Sequence, residues 1–174
     1  LVLGGGYSKE REISLKSAKA VIKSIKKIYK VKFCDPSNNF LTIVENFKPD
    51  VIFNALHGRF GEDGYIQSVF ETLNTKFTHS GVISSMSAMD KEISKKIFIK
   101  NKILTPKFLK INTDTKTINL KTIKNYLKFP VVIKPINEGS SLDVYICNNK
   151  NSLLTSLKKM KSYKEILIEK FIPG

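Results

Sequence analysis

The chain has almost no arginine. Of its 30 basic residues only Arg11 and Arg59 are arginine, and the rest are lysine. Surfaces that read nucleic acid lean on arginine, whose planar fork contacts phosphate and base edges bidentately. A net charge of +15 therefore does not argue for such a surface. The lysines are scattered among Ile and Asn, without aromatics interleaved at a stacking spacing. They read as a compositional bias, and no nucleic-acid partner is expected. Cysteine is equally scarce. Cys34 and Cys147 lie far apart in apolar, strand-like runs, which suits buried thiols better than a disulfide or a metal site. No apolar run approaches the ~20 residues of a membrane span, so no membrane partner is expected. No secretory leader is visible, and a reducing cytoplasm is the expected compartment. Leu1-Val2-Leu3 reads as the tail of a strand and Gly174 follows directly on one, so both ends read as cut.

Apolar residues make up 41% of the 174 positions, enough for the core of one large domain or two small ones. Strand and helix patterns alternate from the start: strand at 1–3, helix at 13–28, strand at 29–34, a short helix at 41–47, strand at 51–56, helix at 65–73 and strand at 76–78. This order predicts a doubly wound parallel sheet over residues 1–88. A second unit, 89–174, is expected to be small, α+β and antiparallel. Its helix is capped by Asp90 and runs to about Asn101. Strands follow at 107–111, 131–134, 144–147 and 165–171, with helices at 120–127 and 153–160.

The segment Val51–Ser68, VIFNALHGRFGEDGYIQS, carries the most information. A buried strand stops at His57-Gly58, a glycine-punctuated polar loop follows, and a helix begins at Tyr65. Such a strand delivers its last residues to the carboxyl edge of a parallel sheet, where open α/β folds bind ligands. His57 is then either a polar contact in a small-molecule site or a hydrogen-bonded loop histidine beside a helix N-terminus. The turn Gly4-Gly5-Gly6 leads into Glu10 and Glu12, at the same edge. These acids suit a ligand ammonium group, or equally a helix macrodipole. The turn itself lacks the spacing of a phosphate-binding P-loop or a dinucleotide fingerprint.

In the second unit, Val132-Ile133-Lys134-Pro135 is followed by Glu138-Gly139-Ser140-Ser141. A lysine ending a buried strand needs an anionic partner, and the glycine and serines after it are good donors to phosphate oxygens. Lys91 is a second candidate phosphate contact, against the alternative of one more solvated lysine. Leu167–Ile172 reads either as an edge strand whose backbone could seat a purine or as plain core.

In order along the chain, GGGYSKEREISL, ALHGRFGEDGYIQS, HSGVISSMSAMDK, VVIKPINEGSS and LIEKFIPG resemble D-alanine–D-alanine ligases, ATP-grasp enzymes of peptidoglycan synthesis. The resemblance covers essentially the whole chain and implies a pre-ATP-grasp, substrate-binding N-terminal domain, 1–88, and a central ATP-grasp subdomain, 89–174. The implied reaction joins two D-alanines with ATP through an acylphosphate. The resemblance also implies a cytoplasmic homodimer. It casts Glu10 as the acid that binds the first D-alanine's ammonium, His57 as the group facing its carboxylate, and Ser140 as the serine hydrogen-bonded near that D-alanine and Glu10. Lys91, Lys134 and Ser141 would hold ATP phosphates, and Glu169, Phe171 and Ile172 would line the adenine pocket. The Mg2+ or Mn2+ ligands of the family would lie beyond Gly174, and the 174 residues alone are expected to be inactive. Related ligases use D-lactate or D-serine as second substrate; a non-catalytic fragment that binds nucleic acid through its charge is the alternative of another class. One departure stands out: where the family's phosphate loop continues Val-Gly, this chain has Leu142-Asp143.

Overall fold

The computed structural model of the chain describes residues 1–37, 39–114, 119–139 and 143–174. They form two compact units, Leu1–Ala88 and Met89–Gly174. In the first, β1 (Val2–Leu3), β2 (Phe33–Cys34), β3 (Val51–Asn54) and β4 (Lys76–Phe77) make a four-stranded sheet in the order β2-β1-β3-β4. Every pair is parallel: Leu3 lies opposite Cys34 on one side and Asn54 on the other. α1 (Arg11–Ile25) packs through Ala18, Val21, Ile22 and Ile25 on Val2 and Ala55. The opposite face carries Leu3, Ile52, Phe70, Phe40 and Val44, the latter three from α2 (Phe40–Phe47) and α3 (Tyr65–Thr72). Helices on both faces of a parallel sheet are what the doubly wound pattern requires.

Two elements depart from the sequence reading. α1 stops at Ile25 and β2 keeps only Phe33–Cys34. Ile28 and Tyr29 are instead exposed at 73% and 64%, so their alternation marks a solvated turn. A helix not anticipated from the sequence, α4, spans Val82–Met89. It buries only Ser85, and Ile83 and Met86 are exposed, so no apolar stripe announces it.

The second unit is a four-stranded antiparallel sheet in the order β5-β8-β6-β7, made of β5 (Phe108–Asn112), β6 (Val131–Pro135), β7 (Tyr145–Cys147) and β8 (Glu165–Lys170). One face carries Val131, Ile133, Ile166 and Ile168 against Ile123, Leu127, Leu153 and Met160. These last come from α6 (Leu120–Leu127), α7 (Lys150–Lys159) and the 3-10 turn after it. α7 begins three residues before the expected Leu153 because Asn149 and Ser152 form a reciprocal capping box. β8 is an inner strand, paired with both β5 and β6. The edge-strand reading of Leu167–Ile172 is therefore wrong. Up to Lys170 its backbone belongs to the two ladders, and the chain leaves strand geometry at Phe171. No helix among the described residues is long and apolar enough to cross a membrane.

Candidate functional site

In the first unit, the ends of β1 and β3 bring the two glycine-bearing loops together. Ser14, at 0% exposure, ties them: its hydroxyl donates to the Ala55 carbonyl (2.7 Å) and accepts from the Gly5 N–H (2.8 Å). Ser8 Oγ donates to the His57 carbonyl (2.7 Å) and accepts from the Glu10 N–H (3.1 Å). Asn54 and Gln67 both donate to the Gly61 carbonyl, at 2.9 and 2.8 Å, and fix the loop after His57 to strand and helix.

Glu10 is buried at the start of α1 and its side chain makes no capping hydrogen bond. Its carboxylate faces Gly58. A Cβ added at Gly58 would lie 2.4 Å from Glu10 Oε2, and Gly58 has φ +68°. His57 Nε2 is 3.0 Å from Ser17 Oγ, and Nδ1 is 3.6 Å from Glu62 Oε1. Glu62 also accepts from the Gly58 N–H at 2.9 Å. Glu10 and His57 thus stand on adjoining loops, one acidic and one with ring nitrogens held by neighbours. Glu62 belongs to the helix N-terminus that the alternative reading of His57 placed beside it; Ser17, on α1, carried no signal in the sequence. A cavity of about 420 Å³ adjoins this loop, lined by Gly5–Ser8, His57, Phe60 and apolar residues of α2 and α3. Glu10 does not line it.

Asp35 braces the glycine turn. It accepts from the Gly6 N–H (3.0 Å), from the Ser37 N–H and Oγ (3.1 and 2.7 Å), and from Arg11 Nη2 (2.5 Å). Burial works to raise its pKa, but these hydrogen bonds outweigh it and hold the carboxyl at about 2, below its ordinary 3.8. Because the folded value is depressed, its stabilisation is complete above pH 3.8 and is lost as pH falls toward about 2. Asp35→Asn is expected to lower stability at pH 7 by about 1–3 kcal/mol and to flatten the acid limb of the stability curve. Thermal unfolding from pH 7 down to about 2 checks both.

In the second unit, alternation along β6 turns Val131, Ile133 and Pro135 into the core and Val132 and Lys134 to the other face. Register places Glu169 beside Val132 and Lys134 beside Leu167. α5 (Lys91–Lys100) supplies Lys95. Its ammonium donates to Glu169 Oε2 (2.7 Å) and Thr105 Oγ1 (2.7 Å), and lies 5.2 Å from the Phe108 ring centroid. Lys134 donates to Glu169 Oε1. The anionic partner that Lys134 needs is thus Glu169. Burial opposes the charge on Glu169, and hydrogen bonds from Lys134 and Lys95 more than compensate, so its carboxyl titrates below the usual range. Lys91 Nζ donates to the Ile136 (3.1 Å) and Glu138 carbonyls. Burial, and then the charge of Lys134, lower its pKa. Lys91 and Lys134 are near enough to repel, with Glu138, Asp90 and Glu169 the acids around Lys91; a polyanion between the two lysines would relieve that repulsion.

Both oxygens of the Glu169 carboxylate accept from lysines, and the chain after Lys170 leaves the strand. Phe171 N–H donates to the Pro130 carbonyl (3.1 Å), and Ile172 is exposed. Ser140 and Ser141 lie outside the described residues. Asp143 has φ +53°, and its carboxylate accepts from the Tyr145 hydroxyl (2.9 Å) and the Tyr163 hydroxyl. That conformation favours glycine and tolerates aspartate. With its charge directed to two tyrosines, Asp143→Gly in the full-length enzyme is expected to change the KM for ATP by less than about tenfold. A larger gain in ATP affinity would show the carboxylate opposing phosphate. Cys34 and Cys147 are both free and buried. The described residues gather no group of three or more His, Cys, Asp or Glu side chains able to hold a metal.

The first unit is thus a parallel α/β sheet with two glycine loops meeting at its carboxyl edge, and the second an antiparallel sheet with Lys95 and Lys134 gathered on Glu169. Comparison with known proteins shows the family. A family model described as D-ala D-ala ligase N-terminus matches residues 35–80, and one described as D-ala D-ala ligase C-terminus matches 97–174. The chain is 62% identical over its whole length to a D-alanine–D-alanine ligase of Pelagibacter ubique, covering 58% of that protein. It is 42% identical to one from Wolbachia pipientis, covering 54%. Among solved structures, a D-alanine–D-alanine ligase from Bacillus anthracis superposes with a TM-score of 0.89 at 34% identity, over 99% of this chain and 57% of that one. The same organism's ligase complexed with ATP gives 0.86 at 32% identity, over 99% of this chain and 58% of that one. The chain belongs to the D-alanine–D-alanine ligase family and spans somewhat more than half the length of the relatives it matches.

Proposed function

We propose that this chain forms the substrate-binding N-terminal domain and the central ATP-grasp subdomain of a cytoplasmic, homodimeric D-alanine–D-alanine ligase of peptidoglycan synthesis. The observation that carries the reading is Glu10, buried and held across Gly58 from the His57 loop, together with the family membership. A carboxylate and an imidazole on adjoining loops complement the ammonium and carboxylate of a zwitterionic amino acid. Glu10 binds the ammonium of the first D-alanine, and His57 faces its carboxylate. In the central subdomain Lys91, Lys134 and Ser141 hold the phosphates of ATP, and Glu169, Phe171 and Ile172 border the adenine.

A carboxylate oxygen of the first D-alanine attacks the γ-phosphorus and ADP departs. The amine of the second D-alanine then attacks the acyl carbon of the acylphosphate. Inorganic phosphate leaves, and the attacking nitrogen loses its proton. Cations that neutralise the phosphates lower the repulsion between two anions, and positioning supplies most of the rest. The Mg2+ or Mn2+ that the family implies is not assigned to any residue of this chain, and no step is derived through it. The test is ADP release by the full-length enzyme with D-alanine and L-alanine in parallel. Release with D-alanine alone supports the reading, and equal rates with both contradict it.

A further inference from the structure

We propose that Lys95 is a positioning residue: by holding one oxygen of Glu169 it leaves Lys134 bound through the other alone, with its charge available to a polyanion. The inference deepens the proposed function and rests on it. Lys95 follows Lys91 by one helical turn on α5, so the two share one helix face. Their placements differ. The Lys95 side chain is only 8% exposed, against 22% for Lys134. Its ammonium is committed to Glu169, Thr105 and the Phe108 ring. A cation so enclosed does not itself reach a ligand, yet a buried charge is retained only where its partners compensate it.

By count, Lys95, Lys134 and Glu169 carry a net charge of +1. Without Lys95, Lys134 would be the sole counter-ion of Glu169. The pair would be neutral, and Lys134 would be drawn wholly onto the carboxylate. Lys95 thus sets both the position of Lys134 and the positive surplus beside it.

The test uses Lys95→Met, Lys95→Arg, Glu169→Gln and the double variant Lys95→Met/Glu169→Gln in the full-length enzyme. Lys95→Met is expected to raise the KM for ATP roughly tenfold while the KM for D-alanine stays within about twofold. Lys95→Arg, which keeps the charge, should restore the KM for ATP to within about threefold. If Lys95 acts through Glu169, the double variant is no worse than Glu169→Gln alone, because the effects of coupled residues do not add. Additive losses, or losses in both KM values that track the folded fraction, would overturn the proposal. A second readout is independent of turnover. In the 174-residue chain the Glu169 carboxyl, followed by 13C NMR, should titrate higher in Lys95→Met and near wild type in Lys95→Arg. An unchanged midpoint overturns the proposal. An inactive wild-type enzyme with the expected NMR shift would instead remove the functional reading and leave the clamp standing.

Discussion

Gly58→Ala is expected to lower kcat/KM for D-alanine by at least ~100-fold, or about 2.7 kcal/mol, in the full-length enzyme while leaving the KM for ATP unchanged. The reason is local. The new methyl would meet Glu10 Oε2 at 2.4 Å, well inside contact distance, and the backbone there has φ +68°. A flexible surface glutamate would swing aside. Glu10 is 8% exposed, and Ser8, which receives its N–H, is itself tied to the His57 carbonyl. Either the carboxylate leaves the position proposed for the ammonium, or the His57 loop moves and carries the imidazole with it. Positive φ adds about 1–2 kcal/mol of strain, so a lower melting temperature is expected too. Steady-state kinetics with each substrate varied separates the two effects: loss of stability alone lowers active enzyme for both substrates, whereas displacement of Glu10 acts on D-alanine. Wild-type kcat/KM in a folded Gly58→Ala enzyme would mean that the Glu10 carboxylate is not placed for substrate.

Lys134→Met should do the complementary thing, raising the KM for ATP about 100-fold or more with little change in stability. Truncating one partner of a buried pair usually costs about 3–5 kcal/mol because the other charge is stranded. Here it is not stranded. Lys95 still holds Glu169 Oε2 at 2.7 Å, and the remaining pair is neutral by count. Glu169→Gln is the informative contrast, since it leaves two lysines on one face without their shared anion and should destabilise more. Isothermal titration with a non-hydrolysable ATP analogue, beside thermal unfolding of both variants, tests the pair. Equal destabilisation would show that Lys95 does not carry Glu169 alone.

The alternation of short apolar runs with 3.6-period segments was enough to reveal two sheets of different type, because burial on one or both faces writes itself into local pattern. The loop from His57 to Gly64 was legible for the same reason: a buried strand that stops at glycine hands the chain to a loop at the sheet's carboxyl edge. Strand order was not legible. β8 lies between β5 and β6, and that depends on pairings across more than thirty residues, which no local window reports. Lys95 was hidden by its company, since in a chain with 28 lysines one more on a helix reads as solvated. Its significance comes from Glu169, seventy-four positions away. Asp35 carried no site signal in the sequence; the four groups that donate to it, from Gly6, Ser37 and Arg11, converge once β2 lies beside β1. α4 escaped because a helix that buries little leaves no periodic trace.

The central claim, that this chain carries the amino-acid and phosphate sites of a ligase working through an acylphosphate, is tested most directly by following oxygen. D-alanine labelled with 18O in its carboxylate is supplied to the full-length enzyme with ATP, and dipeptide and inorganic phosphate are analysed by mass spectrometry. The account predicts D-alanyl-D-alanine in amounts matching ADP, with one 18O atom in each phosphate released, since the carboxylate oxygen that attacks phosphorus departs with it. Dipeptide formed with unlabelled phosphate, or phosphate release without dipeptide, would contradict it.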